Sequence, residues 1–153
     1  MVEVFRGLNL FFSAILAGGM TLELLVVIPA MTGLPGDQLY KVYRFIAKRS
    51  AFRYALPTGI ASALAAIVVL IADHDFGHAA TTLRLLGIVV LVGGALATGK
   101  LYMHDLYVEI KKVPTLADSE VPGLLSRWQR AQLVRTSLYV SSLVLFIAAD
   151  VVY

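Results

Sequence analysis

The segment from Leu8 to Met31 constrains the fold of this chain more than any other part of the sequence. It is long enough and apolar enough to cross a bilayer as a single helix. Its one ionisable residue, Glu23, lies well inside the apolar run. Because a carboxyl group at that depth is costly, we expect Glu23 to face protein rather than lipid and to have a partner there.

Three further apolar blocks follow, at about residues 54–72, 83–103 and 132–152. Hydrophobic residues make up 59% of the 153 residues, whereas a soluble domain contains roughly half. The sequence therefore predicts one all-α domain over residues 1–153, a membrane-embedded antiparallel four-helix bundle with cytoplasmic helix extensions. We expect the first span to be uncleaved, because its apolar run continues to Ala30 without a signal-peptidase site.

Residues 37–57 form a basic stretch between the first two spans. Apolar residues occur there at imperfect helical spacing, with lysines and arginines between them. The apolar positions are Leu39, Val42, Phe45 or Ile46, and Phe52. This pattern favours a short helix that lies at the membrane surface. The alternative is a solvated loop flanked by aqueous extensions of the first and second spans.

The basic residues predict the orientation of the spans. Every Lys and Arg except Arg6 and Arg84 falls on the side that holds the loops after the first and third spans. That side is therefore predicted to be cytoplasmic, with both termini outside a bacterial inner (plasma) membrane. The residues on it are Lys41, Arg44, Lys48, Arg49, Arg53, Lys100, Lys111, Lys112, Arg127, Arg130 and Arg135.

The fourth span carries a stripe of residues at intervals of three and four, which is the spacing of one helix face. We expect this face to point into the bundle. Its members are Trp128, Gln132, Arg135, Tyr139, Ser142 and Phe146.

The predicted topology brings polar residues of three spans to one depth in the cytoplasmic leaflet. The first span contributes Glu23, and the third contributes Lys100 and His104, which are four residues apart and share a helix face. The fourth span contributes the polar members of its stripe. The predicted cluster is Glu23, Lys100, His104, Gln132, Arg135 and Tyr139.

This cluster, together with Trp128 of the same stripe, provides the candidate site residues. Intramembrane ionisable groups often mark functional sites, although Lys100 and Arg135 could equally snorkel to the headgroups and Glu23 could be a protonated packing residue. The catalytic candidates are Glu23, His104 and Arg135. The ligand-binding candidates are Lys100, Trp128, Gln132 and Tyr139.

The loop from Asp73 to Thr82 contains metal-ligand residue types in the order Asp73, His74, Asp75 and His78. Such residues are ordinary in a short hydrophilic hairpin, so we predict no metal site. His104 lies on the other side of the membrane, which argues against a haem held by paired histidines. No cofactor is predicted, and no motif for nucleic acid or phosphate binding is present.

From Arg127 the chain reads RWQRAQLVRTSLYVSSLVLFIAA, which resembles the last segment of the anthrone-oxygenase-like family of small four-helix membrane proteins. That family has the pattern R-W-x-x-x-H-x-x-R-T, matched here by Arg127, Trp128, Arg135 and Thr136, with Gln132 at the histidine position. The opening LAGGM and the four-span layout are similar too. The resemblance implies a four-span fold and, for some members, cofactor-independent oxygenation of polycyclic phenols.

Two functional hypotheses follow. The first is a small accessory subunit or lipophilic-ligand-binding module, packed in the lipid bilayer against other membrane-protein subunits or copies of itself. The alternative is an oxidoreductase acting on a quinol or polyketide phenol, in which Glu23 or His104 removes a proton and Arg135 with Lys100 stabilises the phenolate. Transport is a weaker third interpretation, because no inverted repeat is evident.

Overall fold

The structure is a computed structural model. It describes residues 1–73, 78–99 and 117–152, and the side chains of residues 47–52 and 73 are not described. Within these ranges all regular structure is helical, and no strand occurs. The predicted all-α class is confirmed.

The first half of the chain forms three helices. Helix α1 spans Val2–Ala30 and contains a π-helical turn at Glu23–Val27. A turn in which Gly33 has a φ of 95° leads to α2, Gly36–Ser50. This positive φ is readily adopted by glycine because it has no Cβ. A second π-helical turn, Ala51–Ala55, joins α2 to α3, Leu56–Asp73.

The second half contains two long helices. Helix α4 spans Ala79–Thr98. A single 3₁₀ turn, Asp118–Glu120, precedes α5, Val121–Val151, and Pro122 occupies the first turn of α5, where a missing N–H is tolerated. Four helices are long and apolar enough to cross a membrane, and their bounds are Val2–Ala30, Arg53–Ala72, Ala79–Thr98 and Asp118–Val151.

Helices α1 and α3 pack tightly and run in opposite directions. Asn9, near the start of α1, bonds to Ser62 in the middle of α3. Further along α1, Gly19 lies against the ring of Tyr54, just before α3 begins, and the Tyr54 hydroxyl donates to the carbonyl of Ile15. A Cβ at position 19 would collide with that ring, so glycine allows the close approach.

Helices α4 and α5 form the second closely packed pair, also in opposite directions. Arg84 near the start of α4 pairs with Asp150 near the end of α5. A Cβ built on Gly94, later in α4, would come within 2.9 Å of Leu138, which is earlier in α5. Helix α1 also contacts α5, and α3 contacts α4, so the four helices enclose a common interior.

Two hydrophobic cores fill this interior. The first lies among the four long helices and contains Leu16, Ala17, Met20, Ala63, Ala66, Leu91, Tyr139 and Phe146. The second lies where α1 ends and α5 begins, and α2 completes it. Its members are Ile28, Met31, Leu39, Tyr43, Val121, Leu124, Leu125, Trp128 and Ala131.

The predicted helix between the first two spans is present as α2, and its buried apolar residues pack against protein. Its placement at a membrane surface stays a prediction. Its backbone N–H at Gly36 donates to Asp118 at 2.7 Å, and Tyr43 packs edge-on against Trp128 with ring centroids 4.6 Å apart. Residue numbers rise in the same direction along α2 and α5 through these two contacts, so α2 lies parallel to the first turns of α5. At its other end α2 continues through the second π-helical turn into α3. Burial of Leu39 and Tyr43 in the second core stabilises this arrangement. Of the two alternatives on the apolar stripe, Ile46 packs against this core and Phe45 is exposed.

Candidate functional site

A lateral cleft of about 350 Å³ opens between α3 and α4. Residues of α3 from Ala55 to Ala63 form one wall, and residues of α4 from Leu91 to Leu96 form the other. Leu16 of α1 and two residues of α5, Arg135 and Tyr139, complete the lining. The volume lies within the range of ~300–1,000 Å³ that is usual for small-molecule sites.

Two polar side chains enter this otherwise apolar cleft. Arg135 and Tyr139 are four residues apart on α5 and therefore share one helix face. In the described part of the chain, Arg135 forms no ion pair with an acid, and its Nε has no hydrogen-bond partner although it is buried. The cleft thus combines a guanidinium and a phenol with apolar walls, which suits an amphipathic ligand with a negative or hydrogen-bond-accepting head.

The cleft is polar at one end only. Arg135 lies at the end of the cleft that is bounded by Ala55, directly before α3, and by Leu96 of α4. Tyr139 lies one helical turn further along α5, and Ala63 and Leu91 mark the apolar end. A ligand that fills the cleft would therefore place its polar part beside Arg135 and its apolar part toward Ala63.

Gln132 and Thr136 lie on the α1 side of α5 rather than in the cleft. The Gln132 amide donates to the Met20 carbonyl at 3.4 Å and contacts its sulfur at 3.2 Å, and the Thr136 hydroxyl donates to the same carbonyl at 3.3 Å. Gln132 is 0% exposed, and its Oε1 has no hydrogen-bond partner in the described residues. These contacts join the predicted polar face of α5 to α1.

Glu23 is buried, with 8% of its surface exposed, so it faces protein as the sequence predicts. It opens the π-helical turn three residues after Met20, and its neighbours Leu22 and Leu25 point outward. π-Helical turns frequently occur at functional positions. Glu23 is not among the residues that line the lateral cleft, so its predicted catalytic role stays a prediction.

Trp128 belongs to the second core and not to the cleft. It is 1% exposed and packs edge-on against Tyr43 with an interplanar angle of 87°, the arrangement that aromatic quadrupoles favour. Its indole N–H has no hydrogen-bond partner among the described residues. The structure thus separates Trp128 from Arg135 and Tyr139, with which it was expected to bind a ligand.

Several predicted site residues lie outside the described ranges. These are Lys100 and His104 of the expected polar cluster, and His74 and Asp75 of the loop. His78 is exposed immediately before α4. Within the described ranges no group of three or more His, Cys, Asp or Glu residues is arranged to hold a metal ion.

A polar cluster between α1 and α3 was not identified from the sequence. Asn9 Nδ2 donates to both the carbonyl and the hydroxyl of Ser62 at 3.1 Å, and the Ser13 and Ser62 hydroxyls are 2.6 Å apart. All three side chains are buried. The i, i+4 spacing of Asn9 and Ser13 on an apolar helix was the available signal, since such polar residues bond across membrane helices.

The ion pair of Arg84 and Asp150 was also not identified from the sequence. Arg84 is 2% exposed, and its guanidinium pairs with a carboxylate of which 21% is exposed. From its position in the sequence, Arg84 is predicted only as a charge on the outer side. Its pairing is a structural contact that links the start of α4 to the end of α5.

Comparison with known proteins identifies no relative. No protein-family model, curated protein or solved structure matches the chain. The resemblance to the anthrone-oxygenase-like family therefore stays a prediction drawn from the residues around Arg127 to Thr136.

Proposed function

We propose that this chain is an integral membrane protein of the bacterial inner membrane, with four spans and both termini outside. Four long apolar helices support this, as does the outward exposure of large apolar side chains, including Leu25, Ile71, Val89 and Val144. In water such a surface would aggregate, whereas acyl chains cover it. The basic residues between the first two spans and around the start of α5 support the orientation.

We further propose that it is a lipophilic-ligand-binding module. The lateral cleft carries this proposal, because an apolar cleft with two convergent polar groups is the usual form of a small-molecule site. Its rim includes Leu56, Ile60 and Leu96, which are exposed. In a bilayer the cleft would open toward lipid, so a lipophilic ligand would enter without crossing water.

As an accessory subunit, the module would pack against other membrane subunits or copies of itself. The outer face of α4 supports this partner proposal, since Gly93 and Ala97 are exposed there beside apolar neighbours. Small residues allow close helix approach in lipid. Native mass spectrometry in mild detergent should then detect oligomers or co-purifying subunits, and lone monomers would contradict the partner proposal.

Photolabelling tests ligand binding in the cleft. A neutral fatty alcohol that carries a diazirine in its chain should label cleft residues of α3 and α4 more strongly than the outward face of either helix. Ala95→Phe should reduce this labelling several-fold, because Ala95 lines the cleft and the ring would fill it. Peptide mass mapping measures the extent of labelling at each position.

Ala97→Phe is the matched control for this experiment. Ala97 lies on the same helix but is exposed and does not line the cleft, so the added ring should leave cleft labelling unchanged. Labelling spread evenly over all outward faces, or equal loss in both variants, would contradict a ligand site in the cleft.

A further inference from the structure

We propose that the lateral cleft holds one anionic phospholipid of the cytoplasmic leaflet, with its phosphate at Arg135 and one acyl chain along α3 toward Ala63. This inference rests on the proposed function and names the ligand class of the same cleft. Three features support it, namely the charge in the cleft, the depth of that charge and the shape of the opening.

The charge requires an anion. Arg135 is partly buried and forms no ion pair within the described chain, and its buried Nε–H lacks an acceptor. A guanidinium in an apolar setting is unfavourable unless a negative group approaches it. A phosphate oxygen pair matches the fork of Arg, and Tyr139 places a further hydroxyl one turn away.

The depth of Arg135 matches the headgroup region. It precedes the end of α5 at Val151 by 16 residues, which is about 24 Å along a helix. If Val151 lies at the outer surface, Arg135 lies within about one side-chain length of the inner boundary of a ~30 Å hydrocarbon layer. A phosphate of the cytoplasmic leaflet can therefore meet the guanidinium without leaving its own depth.

The shape of the cleft matches an acyl chain. From the Arg135 level its apolar wall on α3 extends from Ala55 to Ala63, about 12 Å toward the bilayer midplane, which is the direction of an inner-leaflet chain. A volume of about 350 Å³ accommodates part of one lipid, and the open side leaves the remainder in the bilayer. A soluble anion would have no route to Arg135 from this side.

Native mass spectrometry of the full chain tests the inference, with phosphatidylglycerol, phosphatidylcholine and oleate added separately to the same detergent. Wild type should retain phosphatidylglycerol in preference to phosphatidylcholine. Arg135→Gln should weaken phosphatidylglycerol binding about tenfold or more, because charge-assisted hydrogen bonds to the phosphate are lost. It should weaken phosphatidylcholine binding less, because the choline cation already offsets the charge of that phosphate in wild type. Arg135→Lys should lie between wild type and Arg135→Gln, since the charge remains and the fork is lost.

Arg130→Gln is the matched control, because Arg130 is an exposed arginine of the same helix that does not line the cleft. It should bind phosphatidylglycerol as wild type does. Circular dichroism checks that each variant retains its helices, and Arg135→Lys provides the comparison if Arg135→Gln does not fold.

Each remaining outcome overturns a different statement. If Ala95→Phe removes lipid while Arg135→Gln changes nothing, the cleft binds a lipophile but not through an anionic head. If oleate is retained more strongly than phosphatidylglycerol, the occupant is a carboxylate and not a phospholipid. If Ala95→Phe does not change the binding of phosphatidylglycerol, phosphatidylcholine or oleate, the proposed function itself is wrong.

Discussion

Most buried polar side chains between these helices have a hydrogen-bonding partner on another helix. Thr136 bonds to a carbonyl of α1, and the Ser142 hydroxyl donates to the carbonyl of Gly87 at 2.9 Å. In a membrane a polar group finds no water to bond, so such pairs hold helices in one register. The buried Nε of Arg135 has no partner among the described residues, and Arg135 also lines the cleft. The ligand-binding role proposed for it rests on this combination.

The Arg84–Asp150 pair yields a prediction about stability at the residue scale. Asp150→Ala should lower the free energy of unfolding by about 3 kcal/mol, because removing one partner of a buried pair leaves a buried charge. The partial exposure of Asp150 keeps the loss near the lower end of the usual ~3–5 kcal/mol range. Denaturation of the purified chain in mixed detergent micelles, followed by circular dichroism, measures the change.

Asp37→Ala is the comparison for that variant. Asp37 pairs with Lys41 at 3.5 Å, and the side chains are 56% and 75% exposed. Exposed ion pairs contribute less than about 1 kcal/mol, so Asp37→Ala should change little. If both variants lost the same free energy of unfolding, the Arg84–Asp150 contact would stabilise the fold no more than an exposed ion pair does.

At the element scale, the π-helical turn in α1 decides which residues point inward. Met20, Glu23, Ile28 and Met31 are all buried. The Ile28 N–H donates to the Glu23 carbonyl five residues earlier, which is the hydrogen bond of a π turn. Because a regular helix repeats at intervals of three and four, the turn shifts the register after Glu23 and brings Ile28 to the buried side.

Glycines of α4 give a prediction about helix packing. A Cβ on Gly87 would lie 2.6 Å from the ring of Phe146, which is fully buried, so Gly87→Ala should cost about 1–3 kcal/mol through overpacking. Phe146→Leu should restore part of this loss by removing the ring. Unfolding free energies of the single and double variants in detergent measure both effects.

Gly93→Ala on the same helix is the control. No atom lies within 4 Å of a Cβ built there, so the substitution should be neutral or stabilise the helix by about 0.5–1 kcal/mol. If Gly87→Ala were equally harmless, the close packing of α4 and α5 would not depend on that glycine.

At the scale of the whole molecule, the helices divide into a central apolar part and a basic end. Helix α2, the end of α1 and the start of α5 share the second core, and exposed Lys41, Arg44 and Arg130 surround it. Such charges beside anionic lipid are expected of a cytoplasmic end. The lateral cleft begins next to this end, and the proposed headgroup depth of Arg135 follows from that position.

Cysteine accessibility tests this orientation, and the natural chain offers no background because it has no cysteine. A membrane-impermeant maleimide should label Ala79→Cys in intact spheroplasts, since Ala79 is exposed at the start of α4. Thr32→Cys, in the turn after α1, should be labelled only after lysis. If Thr32→Cys were labelled in intact spheroplasts and Ala79→Cys were protected, the orientation would be opposite to the one proposed.

The sequence by itself determined the helical class, the four apolar helices and the inward stripe of α5, because hydrophobic length and periodicity depend on local spacing. The burial of Trp128, Gln132, Tyr139, Ser142 and Phe146 agrees with that stripe. The contact in which Asp118 accepts the N–H of Gly36 across the fold has no such local signal.

Only the tertiary structure separated the polar residues of α5 into different surroundings. Gln132 contacts α1, Trp128 packs in the second core, and Arg135 with Tyr139 lines the cleft. Helical spacing places all four on one side of α5, but which neighbour each one meets depends on how α1, α3 and α4 approach that side. Close packing of α1 with α3 and of α4 with α5 leaves the space between α3 and α4, and that space is the candidate site.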